Sequence, residues 1–275
     1  MKTTVFLGIV LMSCMTLSAQ VMATPKDSLE INLDVVSRYI WRGQSWGGNY
    51  VAVQPAVNYT VNDTWTFGFW ATTNFKKDYF YPDGVAGKGY QEIDLSVNYA
   101  VTDYMEIQLC DYYWPSVERV EGVDNGYFNY GKNSVKTIDA SLLFDFDDAF
   151  EIPLKLTLST LVAGNDYRYD SNGENPKQNY TTYFEAGYSW KKLFQKITFE
   201  LVGGAVLNNQ AQYYTSGDYN KVSVVNLSLK ATRKFKLANR FTMPLTLNYI
   251  HNAATENTDY FGKDFLIFGL TFNYK

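Results

Sequence analysis

The chain has 275 residues, a formal net charge of −4 at pH 7, and an aromatic content of 17%, with 23 Tyr, 18 Phe and 6 Trp. This mild negative charge argues against nucleic acid as a partner. After the N-terminal segment no run approaches the roughly 18 consecutive apolar residues of a membrane-spanning helix, which excludes a helical membrane protein. No Pro/Ser-rich linker or low-complexity run divides the chain, so its length fits one main domain.

Residues 1–19 have the three parts of a secretory signal peptide. Lys2 supplies the positive start, and residues 5–12 form a short apolar run. Ala19 is a small residue before the predicted cleavage point, and Ala23 offers a second one. The apolar run is too short to span a bilayer as a helix. The pattern therefore predicts export across the inner membrane.

Two cysteines bear on the processing of the exported chain. Cys14 follows Met12 by two residues and could accept a lipid, but Met12 fits a lipoprotein signal poorly, so ordinary cleavage is favoured. Cleavage leaves Cys110 as the remaining cysteine, so no intrachain disulfide is expected. Residues 20–28 would form a short periplasmic segment before the main domain.

Segments that alternate between apolar and polar residues follow in chain order. In the first of them, Leu29, Ile31 and Leu33 share one strand face, while Glu30 and Asp34 share the other. A strand with one apolar and one polar face can form a wall between lipid and water. The pattern predicts an all-β, transmembrane, antiparallel up-and-down β-barrel over residues 29–275. Twelve strands can be counted, at 29–42, 51–61, 65–74, 91–101, 105–114, 137–146, 154–164, 180–190, 197–208, 222–235, 241–251 and 264–274.

The lengths of the connections alternate between short and mostly longer. This asymmetry is typical of an outer-membrane barrel, in which tight periplasmic turns alternate with longer outer loops, and it places both termini on the periplasmic side. Ten or fourteen strands are the alternatives to twelve. The short links are 62–64, 102–104, 147–153, 191–196 and 236–240, and the longer ones are 43–50, 75–90, 115–136, 165–179, 209–221 and 252–263.

Aromatic residues on the apolar face concentrate at the strand ends. Tyr39 and Trp41 lie near a long loop, and a second group lies near the short turns. Two rings of amphipathic aromatics match the two membrane interfaces. The alternative is a soluble β-sandwich with an aromatic core, but a sandwich has no reason to segregate Tyr and Trp at strand ends. The short-turn group is Tyr59, Trp65, Tyr99, Tyr188, Trp190, Phe241 and Tyr274.

The alternation is interrupted at a few positions. Asp111 would point at lipid unless it sits above the interface or a bulge shifts the phase. Val36, Ile40 and Leu143 would face the lumen.

Residues 37–44, Ser-Arg-Tyr-Ile-Trp-Arg-Gly-Gln, resemble the Ser-x-Tyr-x-x-Arg-Gly motif of the TorF-type porins. Residues 51–55, Val-Ala-Val-Gln-Pro, resemble the start of the second strand of that family. The resemblance in strand layout extends from there to the C-terminus of the chain. The resemblance implies an outer-membrane channel. It implies no catalytic residues, and a permeation role for Arg42 or Gly43 is conjecture. Arg38 replaces the acidic residue often seen after that Ser, so the lumenal charge pattern of the family does not transfer.

Charged residues on the polar strand faces are the candidate pore-lining residues. Arg38 and Arg42 would project to one side, about 13 Å apart by strand rise. Each could pair with a lumenal carboxylate, which we favour, or both could form a cationic strip near the outer mouth. Acidic residues outnumber basic ones, so we expect an acidic, mildly cation-preferring lumen. The other candidates are Asp34, Glu92, Asp94, Glu106, Asp139, Lys155, Glu185, Glu200 and Lys230, with Glu30 and Asp145 also expected to face inward.

The strand count sets the size of the bore. Twelve strands spaced ~4.8 Å apart and tilted ~40° give a backbone diameter of about 24 Å, and inward side chains leave a passage of roughly 10 Å. Trp70, Tyr112, Trp114 and Tyr183 would narrow it if they point inward. Small hydrophilic solutes fit such a passage and a folded protein does not. A plugged barrel is the alternative.

The long loops are aromatic and acidic. Such rings can stack on sugars, but more often they pack loops together or lie at the depth of lipopolysaccharide. Residues 170–173, Asp-Ser-Asn-Gly, resemble a calcium loop, but Arg168 would occupy its first ligand position, so we predict a turn and no metal site. The loop aromatics are Phe75, Tyr79, Phe80, Tyr81, Tyr127, Phe128, Tyr130, Tyr167, Tyr169, Tyr213, Tyr214 and Tyr260.

Enzymatic activity is not expected. His251 is the single histidine, and the sequence after it, Asn252-Ala253, lacks the serine two residues away that an outer-membrane phospholipase uses. No Gly-rich phosphate loop is present, and no cofactor is predicted.

Together these patterns predict a porin-like channel in the outer membrane of a Gram-negative bacterium, through which small hydrophilic solutes diffuse passively. Its expected partners are outer-membrane lipid, the barrel-assembly machinery during insertion, and the solutes themselves. The alternative is a non-conducting barrel whose aromatic outer loops bind a surface ligand or partner.

Overall fold

The computed structural model describes residues 27–75, 79–80, 86–87, 90–116, 121–194, 196–214, 222–254 and 262–275. The predicted signal peptide at 1–19 and most of the segment at 20–28 lie outside the described residues, as do the loop residues Tyr81 and Tyr260. Those predictions are therefore not tested by the structure.

Twelve antiparallel strands close into one barrel, as predicted. Each strand pairs with its neighbours in sequence, and the barrel closes where the first strand pairs with the last. The strands are β1 Asp27–Val36, β2 Ala52–Val61, β3 Trp65–Thr73, β4 Gln91–Thr102, β5 Met105–Tyr113, β6 Lys136–Asp145, β7 Leu154–Gly164, β8 Thr182–Phe194, β9 Ile197–Val206, β10 Ser223–Lys236, β11 Phe241–His251 and β12 Asp264–Tyr274.

The two faces of the strands differ as the alternation predicts. On β1 the outward Leu29 is 46% exposed, whereas the adjacent inward Glu30 is 6% exposed. The same contrast holds on β5, where Leu109 is exposed and Gln108 is buried. Because the exposed positions are apolar and the buried ones largely polar, the barrel has an apolar exterior and a polar interior. This distribution is the reverse of that in a soluble domain.

The short links are tight. Asn62 and Asp63 adopt left-handed backbone conformations between β2 and β3, with φ of 50° and 55°. The link between β6 and β7 contains a one-turn helix, α1, at Asp147–Phe150. Among the described residues no helix is both long and apolar enough to cross a membrane. Three two-residue strand pairs lie in the longer connections, at Ile40–Trp41 with Gln44–Ser45, Tyr79–Phe80 with Ala86–Gly87, and Tyr167–Arg168 with Lys177–Gln178.

A band of aromatic side chains surrounds the short-turn end of the barrel on its outer face. Trp65 lies 4.7 Å from Tyr99 between ring centroids, and Phe241 lies 5.1 Å from Tyr274. The remaining predicted members of this ring are also exposed on the outer face: Tyr59, Tyr188 and Trp190.

The assignment of Tyr39 and Trp41 to the outer aromatic ring is wrong. Both side chains are buried in the cluster inside the barrel. The physical reason is that β1 ends at Val36 rather than at residue 42, so the alternation of β1 no longer decides where these side chains point. The chain instead turns into the lumen.

Asp111 does lie on the outward face of β5, and a long loop covers it. Lys136 Nζ lies 2.7 Å from its carboxylate, and Tyr127 and Tyr130 donate hydrogen bonds to the same oxygen. Lys136 Nζ also lies 3.4 Å from the centre of the Tyr127 ring. The loop after β5 therefore folds against the outer wall and provides partners for Oδ2 of a carboxylate that alternation alone would leave facing lipid.

Candidate functional site in the barrel interior

The barrel interior contains a segment that no strand-based prediction anticipated. Residues 37–47, here called the inward segment, leave β1 and fold into the lumen. Its start is tied to β12, because the Ser37 amide donates to Phe268 O at 2.8 Å and the Phe268 amide donates to Ser37 Oγ at 3.0 Å. Ile40–Trp41 then pairs with Gln44–Ser45 to make a small hairpin.

The turn of this hairpin requires unusual backbone conformations. Arg42 has a φ of 46° and Gly43 a φ of 82°, both in the left-handed region that favours glycine. A Cβ on Gly43 would lie 1.9 Å from the Val225 carbonyl oxygen of β10. Asn252 donates to Gly43 O at 3.3 Å. The Arg-Gly pair therefore lets the segment approach the barrel wall more closely than any other residue at position 43 would.

Arg42 is the polar centre of the inward segment. Its Nη2 donates to Asp139 Oδ2 on β6 at 3.0 Å and to Ser159 Oγ on β7 at 2.6 Å, and Nη1 donates to the Tyr214 hydroxyl. Its guanidinium carbon lies 4.8 Å from the Trp41 ring centre and 4.6 Å from that of Tyr183. The charge is thus taken out of water, neutralised by a carboxylate and enclosed by aromatic rings.

Further hydrogen bonds fix Asp139 in place. Ser159 Oγ donates to Asp139 at 2.5 Å, Ser141 Oγ donates at 2.7 Å, and the Tyr112 hydroxyl lies at 3.4 Å. Such bonds hold the carboxylate in the orientation that receives Arg42. The prediction that Arg42 pairs with a lumenal carboxylate agrees with this geometry, whereas Ser159 and Tyr214 were not anticipated.

Tyr39 connects the inward segment to another side of the barrel. Its hydroxyl donates to Glu92 Oε2 on β4 at 2.9 Å, and the Tyr90 hydroxyl donates to the same oxygen at 2.7 Å. The Tyr39 ring also lies 5.5 Å from Trp70 on β3. With the contacts of Arg42 and Gly43, the inward segment reaches strands on several sides of the barrel and spans the lumen.

The proposed cationic strip of Arg38 and Arg42 is not formed. Arg38 donates from Nε to Asn49 Oδ1 at 3.2 Å, and its guanidinium carbon lies 5.2 Å from the Phe265 ring centre. Arg42 faces Asp139 instead. The two arginines separate because the chain bends at the end of β1, so they are not neighbours on one strand face. Partial burial lowers the pKa of Arg38 from its ordinary value.

Ion pairs line the part of the lumen toward the short turns. Lys155 Nζ lies 2.9 Å from Asp145, Lys230 Nζ lies 2.5 Å from Glu200, and Lys275 Nζ lies 3.3 Å from Glu30. These pairs join residues of neighbouring strands or of the barrel seam and brace the wall. Two further inward acidic candidates, Asp94 and Glu106, are buried on the polar faces of β4 and β5.

Glu185 and Tyr183 form another buried contact on β8. The Tyr183 hydroxyl donates to Glu185 Oε2 at 2.5 Å, and Asn226 Nδ2 donates to the same oxygen at 3.0 Å. The Tyr183 ring lies 5.5 Å from that of Tyr214, nearly parallel to it. Tyr183 thus narrows the lumen, as expected if it points inward.

The loop after β9 also folds inward. Tyr214 is fully buried, and burial raises its pKa well above the usual range. The hydroxyl of Tyr213 donates to Asn165 O, and its ring lies 5.4 Å from Trp114. The sequence analysis assigned these tyrosines to the outer loops, because no signal in the sequence indicates that the loop after β9 turns into the barrel.

Two cavities lie on either side of Tyr39, which lines both. The larger, about 130 Å³, extends toward the short-turn end and has Arg38, Lys230 and Lys234 as well as Glu30 and Asp34 in its wall. The smaller, about 30 Å³, lies at the long-loop end and is here called the mouth cavity. Its lining consists of Tyr39, Trp41, Trp46, Tyr90, Glu92, Tyr112, Trp114, Thr137, Leu161 and Tyr213.

Two other sites considered in the sequence analysis are His251 and the Asp170 turn. His251 Nδ1 lies 2.8 Å from Asp264 Oδ1, and the Tyr249 hydroxyl donates to the same oxygen. This pair lies on the outer face near a long loop. Asp170 accepts a bond from Asn175 Nδ2 and bonds from the amides of Glu174 and Asn172, as a turn requires, and these bonds lower its pKa. Within the described residues no cluster of His, Cys, Asp and Glu could hold a metal ion.

No protein-family model and no curated protein matches the chain. Its fold is similar to that of solved outer-membrane proteins. The NanC porin aligns over 90% of this chain and 100% of its own, with a TM-score of 0.50 and 9% identity. The KdgM porin covers 90% and 98% (TM-score 0.43, 7% identity), and the COG4313 outer-membrane channel from Pseudomonas putida F1 covers 92% and 96% (TM-score 0.45, 10% identity). At these identities the likeness concerns the fold alone.

Proposed function

We propose that this protein is an outer-membrane channel for the passive diffusion of small hydrophilic solutes. The observation that carries the proposal is the inversion of polarity across the barrel wall. Apolar side chains such as Leu109 and Leu229 are exposed on the outside, and polar or charged side chains such as Gln108 and Ser228 are buried inside. A closed barrel with this inversion of polarity is typical of a protein that has lipid outside and water inside its lumen.

The inward segment would be the constriction of this channel. The passage estimated from the number of strands allowed only for side chains carried by the strands. The inward segment occupies part of that passage. Its central contact, Arg42 with Asp139, has 1% side-chain exposure on each partner. We therefore expect a narrower passage than roughly 10 Å and a correspondingly low conductance.

We also propose that the lumen prefers cations. Acidic residues outnumber basic ones on the inward faces, and hydroxyl or amide groups donate the hydrogen bonds that Glu92 and Glu185 accept. Rings or rows of carboxylates favour cations in a pore. The candidate pore-lining residues keep this role as part of the proposal.

The proposed location is the outer membrane of a Gram-negative bacterium, after export by the predicted signal peptide and insertion by the barrel-assembly machinery. The exposed aromatic ring at the short-turn end, including Trp65 and Tyr99, supports contact with a lipid interface. Membership of the TorF-type porins is part of the same proposal and depends on Ser37, Tyr39, Arg42 and Gly43.

Recordings in planar lipid bilayers test the channel. The purified full-length barrel should give discrete conductance steps, with a reversal potential displaced toward that of the cation in a salt gradient. A variant in which residues 39–46 are replaced by a short Gly-Ser linker should conduct more. Silence of both proteins, each shown to be folded by its heat-dependent mobility in gels, would refute the channel.

A non-conducting barrel that binds a surface ligand is the second candidate. The observation that favours it is the inward segment itself, which spans the lumen with buried contacts. Under this alternative the wild-type protein is silent in bilayers, and the variant without the inward segment conducts. Enzymatic activity is not part of either proposal.

A further inference from the structure

The short-turn end of the barrel carries its charges in two separate groups. Three consecutive short links, 62–64, 102–104 and 147–153, contain five carboxylates and no basic residue, and are here called the acidic arc. The next two links, 191–196 and 236–240, contain five basic residues and no carboxylate, and are here called the basic arc. Each group is continuous around the barrel, because every strand pairs with its neighbours in sequence. The acidic arc contains Asp63, Asp103, Asp147, Asp148 and Glu151, and the basic arc contains Lys191, Lys192, Lys196, Lys236 and Arg240.

We propose that the basic arc, together with Arg233 on the strand that leads into it, binds the head groups of anionic phospholipids such as phosphatidylglycerol. These lipids would belong to the leaflet at the short-turn end of the barrel. The acidic arc would repel the same head groups, so the shell of lipid around the barrel is asymmetric. This inference rests on the membrane location proposed above and does not depend on conductance.

Arg233 places a guanidinium on the lipid-facing wall beside the basic arc. It lies on the same face of β10 as Leu227 and Leu229, which are exposed on the outside of the barrel, and it is itself exposed. Its guanidinium carbon lies 4.9 Å from the centre of the Phe235 ring, which is two residues closer to the turn. A long basic side chain in this position can keep its stem in the apolar layer while its charge reaches the head groups.

Arg240 lies against the aromatic band at the same end of the barrel. Its Nη1 donates to the Tyr274 hydroxyl at 3.2 Å, and the Tyr274 ring lies 5.1 Å from that of the exposed Phe241. Aromatic rings of such a band lie at the depth of the lipid head groups, so the Arg240 guanidinium lies at the depth of the phosphates. The planar set of donors on a guanidinium matches the oxygens of a phosphate group.

The positive charge of this region is not neutralised within the described part of the chain. Arg233, Lys236 and Arg240 are exposed and take part in none of the ion pairs between described residues. A carboxylate on a neighbouring strand, Glu200, faces the lumen and pairs there with Lys230. The basic arc therefore presents uncompensated charge beside the lipid-facing wall, where an anionic head group can approach it.

Two exposed tryptophans can report on the lipid beside each arc. Trp190 lies on β8 just before the basic arc, and Trp65 begins β3 just after the first link of the acidic arc. The other four tryptophans belong to the cluster inside the barrel or pack against it: Trp41, Trp46, Trp70 and Trp114. Trp65→Phe and Trp190→Phe therefore each leave one reporter that lipid can reach.

Quenching of tryptophan fluorescence by brominated lipid tests the inference on the full-length protein in phosphatidylcholine vesicles. Quenching by brominated phosphatidylglycerol, divided by quenching by brominated phosphatidylcholine at the same mole fraction, gives the local preference for the anionic lipid. A basic residue near an anionic surface contributes a preference of about fivefold. We expect a preference of at least this size at Trp190 and none at Trp65, and we expect it to fall at high salt.

Arg233→Gln combined with Arg240→Gln should remove most of the preference at Trp190. Arg168→Gln combined with Lys177→Gln is the matched control, because it removes the same charge from two exposed residues of a long connection and should leave the preference unchanged. Equal preference at the two tryptophans, or equal effects of the two double variants, would overturn the inference. Neither result depends on conductance, so a barrel that is silent in bilayers but shows the preference would refute the channel and support the lipid site.

Discussion

Arg42 and Asp139 form a buried ion pair across the lumen, between a segment that leaves β1 and a strand on another side of the barrel. The distance from Arg42 Nη2 to Asp139 Oδ2 is 3.0 Å, and each side chain has 1% exposure. A charge buried so completely is tolerated only with its partner in place. The pair therefore helps to hold the inward segment in the lumen, together with the contacts of Tyr39 and Gly43.

Replacement of Asp139 by Ala should destabilise the barrel by about 3–5 kcal/mol, because Arg42 would be left as an uncompensated buried charge. Urea unfolding in lipid vesicles measures the free energy of unfolding. Lys275→Ala is the control, because its pair with Glu30 is partly exposed and should contribute no more than about 1 kcal/mol. Equal losses in the two variants would show that Arg42 readily finds water or another partner.

Gly43→Ala should displace the inward segment, because the new Cβ would lie 1.9 Å from Val225 O. Gly173→Ala is a matched control, since Gly173 also has a left-handed backbone, with a φ of 74°, but has no atom within 4 Å of the added Cβ. The control should lose about 1–2 kcal/mol from backbone strain alone, and Gly43→Ala distinctly more. Similar unfolding free energies for both variants would contradict the close packing of the segment on β10.

Leu270→Arg and Thr271→Arg test the facing of β12. Leu270 pairs with Leu245, which is exposed on the outer wall, whereas Thr271 lines the larger lumenal cavity. An arginine on the lipid face near the middle of a strand should cost about 2–4 kcal/mol, and one in a wet lumen should cost little. Folding yield into vesicles and urea midpoints measure the difference; equal tolerance would reject the assignment of the faces.

The turn at Asp170 should loosen at low pH. Bonds from Asn175 Nδ2 and from the amides of Glu174 and Asn172 lower the Asp170 pKa below 3.8. A lowered carboxylate pKa stabilises the turn above the ordinary pKa, and this stabilisation is lost as the pH falls through the lowered value. Hydrogen-exchange protection of residues 172–174, corrected for intrinsic rates, should therefore hold at pH 6 and fall below pH 4. Asp170→Asn should abolish this pH dependence.

The sequence predicted the barrel well because its fold depends on a local and repeated feature. Period-2 alternation and alternating connection lengths fixed strand number, strand order and the inward position of residues such as Glu30 and Gln108. The bounds of β7, β11 and β12 agree with the predicted ones to the residue.

The interior could not be predicted to the same degree, because it depends on contacts between distant parts of the chain. Tyr39 and Trp41 continue the apolar face of β1. The apolar residues Val36 and Ile40 on its polar face were therefore interpreted as interruptions and not as the end of the strand at Val36. The left-handed Arg42 is an uncommon turn residue, and Gly43 alone was not a sufficient signal. The inward position of Tyr214 depends on Arg42, which is 172 residues away in the sequence.

Single-channel recording of the full-length protein in planar bilayers, beside the variant that lacks residues 39–46, tests the central claim most directly. If the lumen is a channel narrowed by the inward segment, the wild-type protein gives small cation-preferring steps and the variant gives larger ones. Identical conductance of the two folded proteins would contradict the constriction. Absence of current from both would contradict the channel itself.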